Sequence, residues 1–167
     1  MNLPPGCRHN GYKTIHPRKG TWHMPTINNT IDIKATPDEV WAVLADMPAT
    51  RQWLPGVVAA RMDGGVRICE MADGQQVREK ISDISAEQRH FRFEHLRVPL
   101  PVERSGGTFK VTAGADTHTA TVTVRTTFEP VDPTGIDPLS DIVHGAFQQS
   151  LESLRRFVEV NIPWDAS

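Results

Sequence analysis

Ile27, Asn29, Ile31 and Ile33 alternate with polar neighbours over residues 26–34, and a period of two predicts a strand with one buried face. Thr36-Pro37-Asp38-Glu39 comes next. Thr36 is placed to cap a helix, Pro37 suits its first position and Glu39 completes a capping box, so a short helix is expected over residues 37–46. Val40, Trp41, Val43 and Leu44 fall on one side of it, and Pro48 stops it before a brief helical turn through Trp53 that Pro55-Gly56 ends. Strand patterns then cover residues 57–62, 66–71, 75–84, 90–97, 103–111 and 117–128. Their short connections make the meander antiparallel, with Gly64-Gly65, Asp73-Gly74, Gly106-Gly107 and Gly114 expected at turns and bulges. From residue 137 to 161 the period becomes helical, with Leu139, Val143, Ala146, Phe147, Ser150, Leu151, Leu154, Phe157 and Val158 in one stripe. At 1.5 Å per residue such a helix is about 36 Å long and can cross an entire sheet.

With 167 residues, 38% of them hydrophobic, the chain suits one domain over residues 25–164 behind a tail of residues 1–24. Met24 directly precedes the first strand and is a candidate start of translation, which would make residues 1–23 an extension. No apolar run reaches membrane-spanning length, so stable membrane insertion is not expected. The formal charge is −2; Arg8, Lys13, Arg18 and Lys19, with no acid beside them, leave −6 on residues 25–167, which argues against a nucleic-acid partner. Cys7 and Cys69 form neither a disulfide framework nor a zinc site and fit a reducing cytoplasm. No metal-ligand cluster, phosphate-binding glycine loop or Ser-His-Asp order stands out. Hence no metal or cofactor is expected.

The stretches Ile31-Asp32-Ile33-Lys34-Ala35-Thr36-Pro37-Asp38-Glu39-Val40-Trp41 and Trp53-Leu54-Pro55-Gly56-Val57, with Arg67, Glu79-Lys80-Ile81, Asp83 and Phe128-Glu129-Pro130, resemble the polyketide cyclase/dehydrase and lipid-transport branch of the START-related (SRPBCC) superfamily. The resemblance runs from about residue 25 to 161. It implies an α+β helix-grip (START/Bet v 1-like) fold, a curved antiparallel sheet wrapped around a long C-terminal helix with two short helices after the first strand. It also implies a cavity for a small hydrophobic ligand such as a lipid, polyketide or aromatic metabolite, and in some members cyclase or dehydratase activity. The chain departs from its relatives at Val124, where they often place Trp.

A three-residue loop of Ala72, Asp73 and Gly74 would set Cys69 opposite Val77 and Arg67 opposite Glu79. Val77 and Ile81 share the face of Glu79, so this carboxylate is expected in an apolar interior with a guanidinium relieving its burial. The pair is either a structural ion pair or a polar anchor for a ligand, and the matching family positions usually face the cavity. Phe91, Phe93 and His95 share one face of the next strand; core packing explains each Phe equally well, while His95 can bond a backbone carbonyl, bind ligand or exchange a proton. Glu79, Arg67 and His95 are therefore the candidate catalytic residues. Trp53 is expected in the cavity wall and Trp41 in the core. Val124, Phe128, Val143, Phe147 and Leu151 are further candidate lining, and Ser150 either faces the ligand or bonds back to the Ala146 carbonyl. The apolar segment 98–102 reads as an entrance loop or as a contact for a protein partner. Ligand binding leads; a cyclase or dehydratase using Glu79 and Arg67, and an interaction module docking through residues 98–102, are the alternatives. Monomer and homodimer both remain open.

Overall fold

The computed structural model describes residues 24–165. The extension expected over residues 1–23 lies outside them. Strand β1 (Thr26–Ile33) leads into helix α1 (Pro37–Ala45) and a 3₁₀ turn at Met47–Gln52. The meander follows as β2 (Val57–Asp63), β3 (Val66–Met71), β4 (Gln76–Ser85), β5 (His90–Arg97), β6 (Val102–Ala113) and β7 (Ala120–Pro130). A second 3₁₀ turn, Pro133–Gly135, delivers the chain to α2 (Ile136–Val160). All pairings are antiparallel in the order β1-β7-β6-β5-β4-β3-β2. This is the helix-grip arrangement that the pattern predicts.

Local chemistry accounts for the helix ends. The Glu39 amide donates to Thr36 Oγ1 at 3.3 Å and the Thr36 amide to Glu39 Oε2 at 2.8 Å, a reciprocal capping box in front of α1. At the far end, Asn161 takes a left-handed conformation (φ 52°) and its amide returns to the Phe157 carbonyl, which closes α2 as such C-caps do. Leu139, Val143, Ser150, Leu151 and Leu154 are the buried stripe of α2; Leu151 and Leu154 share a cluster with Ile31, Ile33, Phe91, Phe109 and Val122 of the sheet, and Leu139 and Val143 pack with Phe128.

Two expectations about turns are corrected. Gly106 and Gly107 lie inside β6, where a Cβ on Gly107 would stand 2.2 Å from the Arg125 carbonyl oxygen and one on Gly106 would stand 2.6 Å from that of Phe93. Their role is close backbone approach between neighbouring strands, not a turn. Residues 117–119 are not strand, because the Asp116 carboxylate accepts from the His118 amide (2.9 Å) and Thr119 Oγ1 (3.0 Å), and this local closure wins over the ladder.

Candidate functional site

The β3–β4 hairpin has the expected register, with Arg67 opposite Glu79 and Cys69 opposite Val77. Between β4 and β5 the register shifts at Arg78/Glu79, so that Arg78 pairs with Arg97 but Glu79 with His95. The residue skipped is Leu96, which is exposed. The bulge lies just beyond the Glu79–His95 pair, which keeps the register of Ile81–Phe93 and so sets His95 opposite the acid.

Arg67 is 2% exposed and is held through Nε and Nη1. Its Nε donates to Glu79 Oε2 at 2.8 Å, Nη1 donates to Thr50 Oγ1 at 3.1 Å and lies 3.6 Å from Met47 Sδ, and the guanidinium sits 5.9 Å from the Phe91 ring centroid. Thr50 passes its own proton to the Met47 carbonyl. The 3₁₀ turn after α1 thus completes a cage that the linear sequence does not announce. Burial alone would raise the Glu79 carboxyl, but the Arg67 charge, with hydrogen bonds from His95 and Arg67, outweighs it and holds the group at about 2. His95 Nε2 stands 3.5 Å from Glu79 Oε1, and His95 Nδ1 is 2.7 Å from Ser105 Oγ. The chain Ser105–His95–Glu79–Arg67–Thr50 crosses β6, β5, β4 and β3 into the turn before β2.

Beside this chain lies a cleft of about 240 Å³ between the sheet, α2 and the 98–100 segment. Leu54, Pro55 and Val57 form one wall, Met71 and Val77 another, and Val98, Pro99 and Leu100 the entrance; Ala146, Phe147 and Ser150 contribute from α2. Cys69, Glu79 and His95 also reach it. Burial pushes the Cys69 thiol up to about 11, so it is present as the neutral thiol. Trp164 secures the wall from behind, its indole N–H donating to the Arg51 and Val57 carbonyls. A wider groove of about 630 Å³ outside α2 is lined by Glu152, Arg155, Arg156, Glu159 and Trp164; it is a charged surface trough that does not reach Glu79.

The other expected lining residues are placed elsewhere. Trp53 is 1% exposed and meets Phe109 edge-on at 6.2 Å, so it belongs to the core and not to the wall. Phe91 stacks on Phe109 and Phe93 meets it at a tilt in that same core, and Val124 and Leu151 are sealed within it. Phe128 and Val143 close a smaller cluster with Leu139. Arg67 turns toward Thr50 and Met47 and does not line the cleft. The five rings of Trp53, Phe91, Phe93, Phe109 and Phe147 pack in the middle of the bowl, and the cleft lies toward segment 98–100. Ser150 Oγ donates to the Ala146 carbonyl at 2.8 Å. His144 pairs with Asn29 at 3.1 Å, away from the cleft.

The ion pair carries a pH signature. Because the folded-state value of Glu79 lies below the ordinary 4.5, an unfolded chain binds its proton first on acidification. The stability this carboxylate contributes is complete above about pH 4.5 and is lost as the pH falls toward 2. Thermal unfolding followed from pH 6 to pH 2 should therefore show a shallower acid decline in the double variant Arg67→Met/Glu79→Leu than in the wild type. The exposed Glu39, Asp116 and Asp132, also lowered by their hydrogen bonds, are common to both proteins and cancel. Equal slopes would show that Glu79 is not held down.

Among the described residues no group of three or more His, Cys, Asp or Glu side chains is placed to hold a metal, and no helix is long and apolar enough to cross a membrane. A family model described as "Polyketide cyclase / dehydrase and lipid transport" matches residues 24–159. No curated protein matches in sequence. Among solved structures, the protein XoxI from Bacillus cereus is 23% identical with a TM-score of 0.73 over 80% of this chain and 94% of its own. The di-domain aromatase/cyclase BexL of the BE-7585A biosynthetic pathway is 19% identical, with a TM-score of 0.72 over 80% of this chain and 46% of its own. The aromatase/cyclase ZhuI of Streptomyces sp. R1128 is 16% identical, with a TM-score of 0.61 over 83% and 98%.

Proposed function

The chain belongs to the polyketide cyclase/dehydrase and lipid-transport family, and from that premise we propose that it binds a small, largely apolar molecule in the cleft between the bent sheet and α2. The observation that carries this reading is an ionised carboxylate, that of Glu79, set into an otherwise apolar wall at the floor of an accessible cleft. Apolar pockets with a few convergent polar groups are the usual form of small-molecule sites. At about 240 Å³ the space is below the roughly 300–1,000 Å³ of drug-sized pockets, which favours a ligand with one ring or a short chain over a full-length lipid.

The chemistry at the cleft favours a binder over the cyclase that Glu79 and Arg67 would form. A carboxyl held at about 2 stays ionised at neutral pH and is a poor proton shuttle, and Arg67 is turned away from the space where negative charge would develop. Segment 98–100 supports the entrance role over a docking role for partner proteins, since Val98, Pro99 and Leu100 contribute to the cleft and Leu100 also packs on the cluster of Phe128, Leu139 and Val143.

Ala146 tests the reading, because it lines the cleft from α2 yet lies on the exposed part of that helix. Ala146→Trp should fill the entrance and abolish the saturable fluorescence rise of 1-aminonaphthalene, with the thermal midpoint within a few degrees of wild type. An undiminished rise in the variant would place binding elsewhere.

A further inference from the structure

One atom of the cleft has an unfilled requirement. Glu79 Oε2 accepts from Arg67 Nε at 2.8 Å, but Oε1 accepts no well-formed hydrogen bond among the described residues, and His95 Nε2 at 3.5 Å is well beyond the usual N–H···O length of about 2.9 Å. The Glu79 side chain is 7% exposed and reaches the cleft, so Oε1 is an acceptor that the His95 N–H meets only at long range and that a donor entering the cleft can complete. We propose that the cleft selects molecules whose polar end is a hydrogen-bond donor, a hydroxyl or an amino group that donates to Glu79 Oε1, and that it rejects matched carboxylates. The inference rests on the ligand-binding reading above and adds the chemical class of the ligand.

The neighbours of Glu79 support this polarity. A carboxylate only accepts, so the tautomer of His95 that suits it carries its proton on Nε2, and Nδ1 then accepts from the Ser105 hydroxyl 2.7 Å away. That proton already points at Glu79. Ser150 Oγ spends its proton on the Ala146 carbonyl and offers the cleft only lone pairs. Arg67, the balancing positive charge, lies behind Glu79 and has no face on the cleft, so a ligand meets the carboxylate and not the guanidinium. An anionic head group would face like charge at short range, beside apolar walls that screen it less than bulk water does.

The test compares one body with three ends, 4-propylphenol, 4-propylanisole and 4-propylbenzoate, by isothermal titration of the wild-type protein. A donor to a buried carboxylate should give the phenol an advantage of about 10- to 100-fold over the anisole, with no measurable binding of the benzoate. In Arg67→Met/Glu79→Leu, which removes both charges together, the phenol's advantage should shrink to within about threefold; the wild-type series carries the test by itself if that variant does not fold. Wild-type affinities for phenol and anisole within about threefold of each other, or a benzoate bound as tightly as the phenol, would overturn donor selection and leave the binding reading standing. Failure of all three probes to bind would overturn the binding reading, and donor selection with it.

Discussion

Glu79→Leu alone is expected to lower the unfolding free energy by about 3–5 kcal/mol, the cost of leaving a buried charge without its partner. The charge in question is that of Arg67, 2% exposed and buried beneath the floor of the cleft, where Thr50 and Met47 can offer its guanidinium an oxygen and a sulfur but no compensating negative charge. Adding Arg67→Met should recover most of the loss, because an apolar pair of similar volume avoids the desolvation of both ions. Urea unfolding of the wild type, both single variants and the double variant closes the cycle. A Glu79→Leu protein as stable as wild type would mean that water reaches Arg67. A double variant no better than the single would mean that the pair is not an isolated unit.

Trp53→Ala should cost a similar amount, about 3–5 kcal/mol, as expected for emptying the site of a large buried aromatic. Trp53 ends the 3₁₀ turn, abuts Phe109 and belongs to the same cluster as Trp41, Leu44 and Phe91, so its removal opens a void under the element that supplies Thr50 to Arg67. Trp53→Phe should be far milder, since the indole N–H has no hydrogen-bond partner among the described residues and its loss leaves nothing unpaired. Denaturant midpoints distinguish core from wall. A Trp53→Ala protein with wild-type stability and altered ligand affinity would return Trp53 to the cleft wall.

Much of this fold is written in short-range chemistry. Thr36 and Glu39 announce α1 because both halves of the capping box lie within four residues, and Asp73-Gly74 fixes the β3–β4 register because a three-residue loop leaves one pairing. From that register the Arg67–Glu79 contact follows. What the sequence leaves open is where the inward-facing side chains leave room. Alternation shows that Phe91, Phe93, Val124 and Phe128 point inward, and it is silent on whether they meet partners or a void. Phe109, the cross-strand partner of Phe91 on the next strand, fills the space that Phe91 and Phe93 would otherwise border. Leu54, Pro55, Val57, Met71, Val98, Pro99, Leu100 and Ala146 become lining only once the entrance segment is set against α2. The facing of His95 and Glu79 follows the register set by the irregularity between Ser82 and Ser85, where Asp83 takes a positive φ, a one-residue slip with no marker in composition. Ser105 and Thr50 are likewise ordinary polar residues until the neighbouring strand β6 and the 3₁₀ turn bring them to His95 and Arg67. A reading that sought partners for each buried charge could have asked which hydroxyl completes Arg67, and Thr50, two residues beyond Pro48, is the nearest candidate of that kind before β2.

The account depends on space at the entrance end of the bowl and none in its middle. Methyl-region NMR of the wild type and of Ala146→Trp, titrated with 4-propylphenol, tests this most directly. The predicted result is saturable shifts at Val57, Val77, Val98 and Leu100 in the wild type, none of these in the variant, and silence from Val122, Val124 and Leu154 in both. An unshifted wild type, the same shifts in the variant, or a response from the three core residues would contradict it.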